Sequence, residues 1–379
     1  MAVLYLDFSK AFDKVPIRRL LSKCNGLGIR GKLLAWVGEW LTGRSQRVVL
    51  NGKESEWGPI KSGVVQGSVI GPCLFLMFIN DIDQAVEGVG GMIKKFADDT
   101  KWGKVVMNEE DRVVFQRGVD SLHRWSAEWQ MPFNEDKCHV LHVGRTNARY
   151  QYSMGGAVLE SVTQEKDVGV IIAENLKPSL QCAKAAQKAN GVLGQLTRGV
   201  SYRDKECFMG LNQTYVRPHL EYAVAAWSPW SQGDKDILEA VQRRAVMMVT
   251  NLKGKDYRQR LEELGITTLE ERRERGDLIQ AYKVLTGKER VSFQTWFQMC
   301  EALEDMRGTT NRAGVFNVER MEGRLEIRKN FWSVRVADKW NQLPDLVKSA
   351  NTVNSFKNGL DNWTEKEKKR RAAAYLRGP

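Results

Sequence analysis

K-F-A-D-D-T at residues 95–100 places the acidic pair Asp98-Asp99 between two β-rich runs, 92–97 and 101–106. Two such runs joined by a short polar turn predict a β-hairpin with the aspartates at its tip. A tight turn is by itself a common place for aspartate, because its side chain bonds nearby backbone groups. Whether this pair of aspartates has a function can therefore be judged only from the sequence around it.

A second acidic element follows the first predicted strand. The apolar run at 2–6 has the length of a short strand, Asp7 follows it directly, and Asp13 comes six residues later. Carboxylates at strand ends and hairpin tips suit Mg²⁺, which prefers oxygen ligands. Two such ions about 3.5–4 Å apart activate an attacking hydroxyl and stabilise the leaving phosphate oxygen. Any metal-assisted chemistry is therefore expected in the front half of the chain.

The chain changes character near residue 175. Before it, short β-rich runs alternate with amphipathic helices; after it, long segments of helical periodicity are separated by Gly, Pro or Asn. This pattern predicts an α+β domain at 1–175, a mostly helical region at 176–300 and a basic C-terminal region at 301–379.

The composition is that of a folded basic protein. The 379 residues include 58 Lys and Arg against 46 Asp and Glu, a net charge of +12, and 42% are hydrophobic. Such a chain can bury a core, which excludes wholesale disorder, collagen and coiled coil. The positive charge suits phosphate-backbone binding, although solubility alone also explains it. The dense basic run at 366–371 is equally open to a solvated helix end or a nucleic-acid contact.

Several classes of protein are not expected. Six cysteines without a C-x-x-C pair argue against a zinc knuckle and a disulfide framework, and for a reducing compartment. The longest apolar run, 69–79, is far shorter than the roughly 20 residues that cross a bilayer. The N-terminus has no basic region before its apolar stretch, so it does not read as a signal peptide. We expect an intracellular protein of nucleus or cytoplasm, neither secreted nor bound to a membrane.

Four stretches occur in a fixed order around the aspartates: Y-L-D-F-S-K-A-F-D-K-V at 5–15, S-G-V-V-Q-G-S-V-I-G-P at 62–72, K-F-A-D-D-T at 95–100 and M-P-F-N-E-D-K-C at 131–138. In sequence and in order they resemble palm motifs A, B, C and D of non-LTR (LINE-type) retrotransposon reverse transcriptases, of the jockey and chicken-repeat kind. Q-E-K-D-V-G-V-I-I at 164–172 and P-H-L-E-Y-A at 218–223 resemble the same family.

The resemblance implies a fold and an activity. The fold would be a reverse-transcriptase palm at 1–175, an antiparallel sheet with helices, followed by a thumb-like helical region at 176–300 and the basic region at 301–379. The activity would be RNA-directed DNA polymerisation, the addition of deoxynucleoside triphosphates to the 3′-hydroxyl of a DNA primer on an RNA template. The implied cofactor is Mg²⁺, as two ions, with Mn²⁺ as a substitute. The oligomeric state stays open.

The same resemblance assigns the catalytic and metal-binding positions. Asp7 matches the motif A carboxylate that binds both metals, and the backbone carbonyl of Phe8 would be a further ligand. Asp98 matches the first motif C carboxylate, and Asp99 matches the second, a weaker metal contact. Lys137 matches the motif D lysine, a proton donor to pyrophosphate.

Three further residues match positions that contact the substrate. Phe12 matches the bulky residue that lies under the sugar of the incoming nucleotide and selects against a 2′-hydroxyl; taken alone it would be a core phenylalanine. Gln66 and Gly67 match the motif B turn that contacts template and nucleotide, where glycine lets the backbone approach the duplex closely. The alternative is an ordinary helix-entry turn with Ser68 as N-cap.

The sequence also departs from the family. Members carry a fingers region and an endonuclease domain before motif A, whereas here motif A begins almost at Met1. We therefore expect a copy truncated before motif A, with its activity in question. Two alternatives stay open: a catalytically dead remnant that only binds nucleic acid through its basic helices, and a two-metal phosphodiesterase or nuclease built on the same aspartates. A nuclease would need a water-activating base near the metals, and the motifs contain none.

Overall fold

The computed structural model describes residues 1–300 and 317–376, and the chain divides into two compact units, Met1–Leu176 and Lys177–Pro379. The predicted basic C-terminal region begins within 301–316, which lie outside the described residues, as do 377–379. No helix in the described ranges is both long enough and apolar enough to span a membrane.

The first unit is a mixed α+β structure. Its strands are β1 Ala2–Leu6, β2 Ser45–Gln46, β3 Val49–Leu50, β4 Lys53–Glu54, β5 Gly58–Pro59, β6 Met92–Phe96, β7 Asp99–Lys104, β8 His139–His142, β9 Ser153–Met154, β10 Ala157–Val158, β11 Glu160–Val162, β12 Gln164–Asp167 and β13 Val170–Ala173. Its helices are α1 Ala11–Lys14, α2 Ile17–Gly26, α3 Gly31–Leu41, α4 Gly71–Ile79, α5 Gln84–Glu87 and α6 Glu109–Glu128.

Strand β1 is the centre of a five-stranded sheet with the order β11-β8-β1-β7-β6. It pairs antiparallel with both β7 and β8, and four of its five residues are buried. Such a strand reads as a continuous apolar run because the structure covers both of its faces. The sheet is not wholly antiparallel as expected, since β11 pairs parallel with β8.

Helix α6 packs on the sheet through a close contact of glycine and tryptophan. The Trp102 ring of β7 stacks on Phe115 of α6 at a centroid distance of 4.5 Å. A Cβ atom at Gly118 would lie only 2.1 Å from the same tryptophan ring. Only glycine therefore lets this helix sit so close to β7, and the contact fixes the strand that carries Asp99.

The predicted hairpin is confirmed, but only Asp98 lies in its turn, and Asp99 is the first residue of β7. Strand β6 pairs with β7 so that Phe96 lies opposite Asp99, which leaves Ala97 and Asp98 as a two-residue turn. Ala97 has a φ of 52°, a left-handed value that is uncommon outside glycine. Two-residue hairpin turns need such a value because their twist must match that of the strands. The turn thus holds Asp98 at the tip of the sheet.

The second unit is helical in its described residues. Its helices are α7 Ser179–Gly199, α8 Lys205–Leu211, α9 Arg217–Glu221, α10 Val224–Trp227, α11 Gln232–Met247, α12 Tyr257–Leu264, α13 Leu269–Leu285, α14 Glu326–Lys329, α15 Trp332–Asn341, α16 Asp345–Lys348 and α17 Val353–Leu376. One apolar cluster joins α13, α15 and α17, where Tyr282 stacks on Phe356 at 4.3 Å and Trp340 is fully buried.

Candidate active site

Asp7 and Asp99 come together at one end of the sheet. The register of β1 and β7 places Leu6 opposite Thr100, so the next residues beyond this pair are Asp7 and Asp99. Both line a cavity of about 240 Å³, which we call the acidic cavity after its four carboxylates, although five lysines line it too: Lys94, Lys95, Lys101, Lys137 and Lys166. Strand pairing thus joins two carboxylates that lie far apart in the sequence.

The acidic cavity contains other residues that the motifs did not indicate. The hairpin β12–β13 contributes Glu165 and Asp167, and Tyr5 and Lys101 lie on the adjoining strands. Lys101 forms an ion pair with Asp167. In the sequence, the indication that this hairpin matters is that the stretch at 164–172 resembles the family, but the resemblance assigns no role to its residues. Residues of this hairpin reach the site only through tertiary packing, which a sequence pattern does not contain.

Negative charge accumulates around Asp99. Partial burial raises the pKa of its carboxyl group, and the charges of Asp98, Asp167 and Asp7 raise that pKa further. A raised carboxyl pKa means that the ionised form is disfavoured where it stands. A bound cation would relieve this repulsion, so the donor set suits a hard divalent ion that takes oxygen ligands.

Lys137 stands beside the motif A carboxylate. Its Nζ lies 3.9 Å from Asp7 Oδ2, and its side chain is 67% exposed. The backbone around it is tied to the end of β1, because the Asn134 N–H donates to the Asp7 carbonyl at 2.8 Å and the Ser9 N–H donates to the Pro132 carbonyl at 3.0 Å. The lysine is therefore anchored at its backbone while its ammonium group is free to move.

A buried cysteine lies beneath Asp7, and the sequence gave no sign of it. The Asp7 N–H donates to Cys138 Sγ at 3.4 Å, and Cys138 is fully buried. Burial raises the pKa of this thiol to about 11, so it stays protonated at neutral pH. Cys138 consequently acts as a neutral packing group that fixes the backbone of Asp7, and it is not a nucleophile.

Phe8 is a core residue in its side chain. The ring is 4% exposed and contacts Phe133 at a centroid distance of 4.6 Å, and the backbones of the two residues form an antiparallel bridge. These contacts orient the chain directly after Asp7. The role expected of the Phe8 carbonyl as a metal ligand stays a prediction.

Phe12 and the motif B turn lie outside the lining of the acidic cavity. The half-buried Phe12 ring stacks on Phe75 at 4.4 Å, and the Phe12 carbonyl accepts from the Val64 N–H at 2.9 Å. Gln66 Nε2 donates to Asp13 Oδ1 at 2.8 Å. The segments of motifs A and B are therefore bonded to each other, and the substrate roles expected of Phe12 and Gln66 stay predictions.

Glycine has two different reasons to occur in the motif B turn. Gly63 has a φ of 91°, and a Cβ there would lie 2.7 Å from the Asp13 carbonyl oxygen. Gly67 also has a left-handed φ, of 78°, but no atom lies within 4 Å of its Cβ position. Gly63 thus serves internal packing, whereas Gly67 leaves open space beside the turn.

The interpretation of Ser68 as a helix N-cap is wrong. Helix α4 begins at Gly71, with Ile70 as its N-cap. Ser68 Oγ donates to the Val65 carbonyl at 2.6 Å and accepts from the Gly71 N–H at 3.0 Å. The serine therefore closes a turn two residues before the cap, a shift that the sequence could not resolve.

In the described residues, 1–300 and 317–376, no group of three or more His, Cys, Asp or Glu side chains is arranged to hold a metal ion. The family assignment therefore comes from the comparisons with known proteins. Residues 2–186 match the family model described as reverse transcriptase (RNA-dependent DNA polymerase). Residues 2–186 are a reverse transcriptase domain. Its predicted α+β fold is thereby confirmed, and the family generally uses divalent metal ions.

Curated relatives identify the type of reverse transcriptase. Over 260 residues the chain is 24% identical to the RNA-directed DNA polymerase from mobile element jockey of Drosophila melanogaster, covering 65% of this chain and 28% of the relative. Over 184 residues it is 31% identical to the jockey polymerase of Drosophila funebris, covering 45% of this chain and 19% of the relative. The resemblance to non-LTR retrotransposon reverse transcriptases is confirmed. The matched part of the chain spans less than a third of either relative.

Two solved telomerase structures share a more distant likeness. Both are complexes with a TWJ fragment of telomeric RNA, one from Candida tropicalis (TM-score 0.33, 10% identity) and one from Candida albicans (TM-score 0.36, 12% identity). They cover 70% and 71% of this chain, and 49% and 51% of the telomerase chains. Scores this low do not by themselves define a common fold.

Proposed function

We propose that the acidic cavity is the polymerase centre of an RNA-directed DNA polymerase of a non-LTR retrotransposon. Its substrates would be an RNA template, a DNA primer and deoxynucleoside triphosphates. The observation that carries the proposal is the meeting of Asp7 and Asp99 at one cavity, although they lie 99 − 7 = 92 positions apart, within a reverse transcriptase domain. Two-metal phosphoryl transfer needs such convergence of carboxylates.

Asp7, Asp98, Asp99 and the Phe8 carbonyl would hold two Mg²⁺ ions, with Mn²⁺ as a substitute. When bound, such ions activate the primer hydroxyl and stabilise the leaving phosphate oxygens. The raised pKa of Asp99 supports this assignment, because carboxylates that repel one another are stabilised by an added cation. Buried Cys138 and the Asn134 hydrogen bond would keep the Asp7 backbone in place during the reaction.

Lys137 would act as the proton donor to pyrophosphate. Its ammonium group is exposed and 3.9 Å from Asp7, a separation at which the electrostatic attraction is weak in water. The lysine can therefore leave Asp7 for the more negative leaving group. A donor on the same side of the site as the carboxylates is what general acid catalysis requires.

Phe12, Gln66 and Gly67 would contact the substrates. Stacking on Phe75 fixes the plane of the Phe12 ring, so it could exclude a 2′-hydroxyl by its bulk. The hydrogen bond to Asp13 holds Gln66 against the motif A segment. The open space beside Gly67 supports a close approach of the nucleic-acid backbone at this turn.

The C-terminal basic run does not decide the alternative of a protein that only binds nucleic acid. Lys368 pairs with Glu271, and Lys369 pairs with Glu365. Arg370 and Arg371 both pair with Glu367. These pairs are exposed and therefore weak, and Arg370 and Arg371 share one carboxylate, so phosphates can compete for the basic side chains.

The test is primer extension on an RNA template by the wild-type chain, by Asp7→Asn, which changes a residue of the acidic cavity, and by Asp98→Asn. Asp136→Asn is a matched control, since Asp136 is exposed and does not line the acidic cavity. We expect Asp98→Asn to lose at least about 10³-fold in rate, because several kcal/mol of charge stabilisation are removed. The affinity of Asp98→Asn for an RNA–DNA duplex should stay within about 3-fold of the wild-type affinity, because duplex binding depends on basic residues.

Other outcomes separate the alternatives. Cleavage of the nucleic acid that depends on Asp98, without any extension, would identify a nuclease. Duplex binding without extension or cleavage, unchanged in a variant with both Asp7→Asn and Asp98→Asn, would identify a binding protein. Extension that survives in Asp7→Asn would show that the acidic cavity is not the polymerase centre.

A further inference from the structure

A second cavity lies in the helical unit, outside the residues that match the reverse transcriptase model. It has a volume of about 180 Å³ and is lined by residues of α11, α13 and α15 and of the segments that precede α11 and α15. Ser228 and Trp230 precede α11, Arg273 lies in the second turn of α13, and Asn330 precedes α15. The beginnings of α11 and α15 carry partial positive charge, which favours an anion on that side of the cavity. We call it the Arg273 cavity.

Three of the four cations in its lining are already paired. Lys235 forms an ion pair with Glu270, and Lys339 forms one with Glu274. Arg335 donates from Nε and Nη2 to the two carboxylate oxygens of Asp277, both at 2.9 Å. These pairs account for every carboxylate in the lining: Glu270, Glu274 and Asp277.

Arg273 is the fourth cation, and it differs from the others. It is 4% exposed, and its Nη1 has no hydrogen-bond partner. Arg273 takes part in no ion pair among the described residues, although Glu239 and Glu270 act on it through the electrostatic field. Burial lowers the pKa of its guanidinium group. Arginine stays charged in proteins nevertheless, and a buried charge without a partner is costly.

We propose that the Arg273 cavity binds a small free carboxylate, which accepts hydrogen bonds from the Arg273 guanidinium. The lining carries four positive and three negative side chains, a sum of 4 − 3 = +1, which one monoanion neutralises. A phosphate dianion would overcompensate that charge and be repelled by the three carboxylates. The planar guanidinium fork matches the two oxygens of a carboxylate, and the ring of Trp230 offers an apolar wall for the attached carbon atoms.

Thermal unfolding with acetate as the probe tests the proposal on the full chain. Titration with sodium acetate, against sodium chloride at the same ionic strength, should raise the Tm of the wild-type protein and then saturate, because a ligand that binds the native state stabilises it. Arg273→Met should raise the acetate Kd at least about 10-fold, since a charge-assisted hydrogen bond is lost. Arg258→Met is the control, because Arg258 is an exposed arginine outside the cavity, and it should bind acetate as the wild type does.

A second measurement covers the case in which Arg273→Met does not fold. In saturation-transfer NMR, magnetisation passes from a protein to a ligand that binds it. Transfer from the wild-type protein to ¹³C-acetate should be seen, and it should be weaker for Arg273→Lys, which keeps the positive charge but loses the planar guanidinium group. A wild-type protein that does not respond to acetate beyond chloride would overturn the proposal. An acetate response that Arg273→Lys and Arg273→Met leave unchanged would overturn it too, as would tighter binding of inorganic phosphate than of acetate.

Discussion

In the first unit Asp99 lies close enough to Asp98, Asp7 and Asp167 for their charges to raise its pKa. In the second unit Asp277, which is 6% exposed, accepts two hydrogen bonds from Arg335. Burial raises the pKa of Asp277 as well, but there the charge of Arg335 opposes the rise, whereas at Asp99 three neighbouring carboxylates add to it and Lys166 opposes it. A carboxylate cluster that does not stabilise the fold is better explained by function than by structure.

The largest stability change is expected where a buried charge loses its partner. Asp277→Asn should lower the free energy of unfolding by about 3 kcal/mol, because the half-buried Arg335 loses its carboxylate partner while keeping its hydrogen bonds to the carbonyls of Asn330 and Ala225. The control is Asp361→Asn, which breaks the exposed pair with Arg275 and should cost less than about 1 kcal/mol. Chemical denaturation followed by circular dichroism measures both. Equal effects would mean that burial does not distinguish the two pairs.

The first unit also has a structural charge that is fully satisfied, at Lys23. Its Nζ donates to the Phe78 carbonyl at 2.6 Å, pairs with Asp81, and lies 3.7 Å from the centre of the Trp129 ring. Trp125 Nε1 donates to the same Asp81 carboxylate at 3.1 Å. Helix α2 is thus clamped to α4 and α6 by one lysine.

Removing that clamp should give the next largest effect. Lys23→Met keeps the apolar stem but loses the charge, and should lower the free energy of unfolding by about 2 kcal/mol, the sum of a charged hydrogen bond and a cation–π contact. Lys32→Met, at an exposed position of α3, should stay within about 0.5 kcal/mol of the wild type. If Lys23→Met proved as stable as Lys32→Met, the clamp would contribute nothing to the fold.

The sequence predicts local features well and tertiary contacts poorly. The hairpin around Asp98 and the strand before Asp7 are recognisable because turn residues and apolar runs act over a few positions. The Lys23 clamp and the Cys138 contact with Asp7 are not, since each joins segments more than 50 residues apart. Gly118 is a similar case, because glycine is needed there only to make room for a tryptophan on a strand that precedes the helix.

The same difference between local features and tertiary contacts is seen in the candidate site. Motif resemblance names Asp7, Asp98, Asp99 and Lys137; Asp7, Asp99 and Lys137 line one cavity, whereas Asp98 does not. It does not reveal Glu165 and Asp167, because their place in the cavity depends on how β12–β13 packs. Nor does it reveal the Arg273 cavity, whose residues come from three helices and form no motif. Non-local packing is what the sequence pattern does not express.

A smaller effect, of opposite sign, is expected in the acidic cavity. Asp99→Asn removes one of several repelling charges, so it should raise the free energy of unfolding without divalent ions, but by at most about 0.5 kcal/mol because Asp99 is exposed and water screens the repulsion. Added Mg²⁺ should then stabilise the wild type more than the variant, because the variant has lost a ligand. Thermal unfolding with EDTA and with Mg²⁺ measures both effects. A destabilised variant in EDTA would contradict the view that these carboxylates oppose folding.

The smallest effect concerns pH and His142, a residue of β8 that is 1% exposed. Its Nε2 lies 3.2 Å from Ser161 Oγ, and burial lowers the pKa of its imidazole below 6.5. Between that lowered value and 6.5 the unfolded state binds more protons than the native state, so stability is retained above pH 6.5 and declines as the pH falls toward the folded pKa. His142→Gln should remove this part of the decline. Hydrogen exchange of the β8 amides between pH 7 and pH 5, compared for the two proteins, isolates the histidine from the carboxylates that titrate in both. Identical pH profiles would mean that the buried imidazole accepts its proton without cost to the fold.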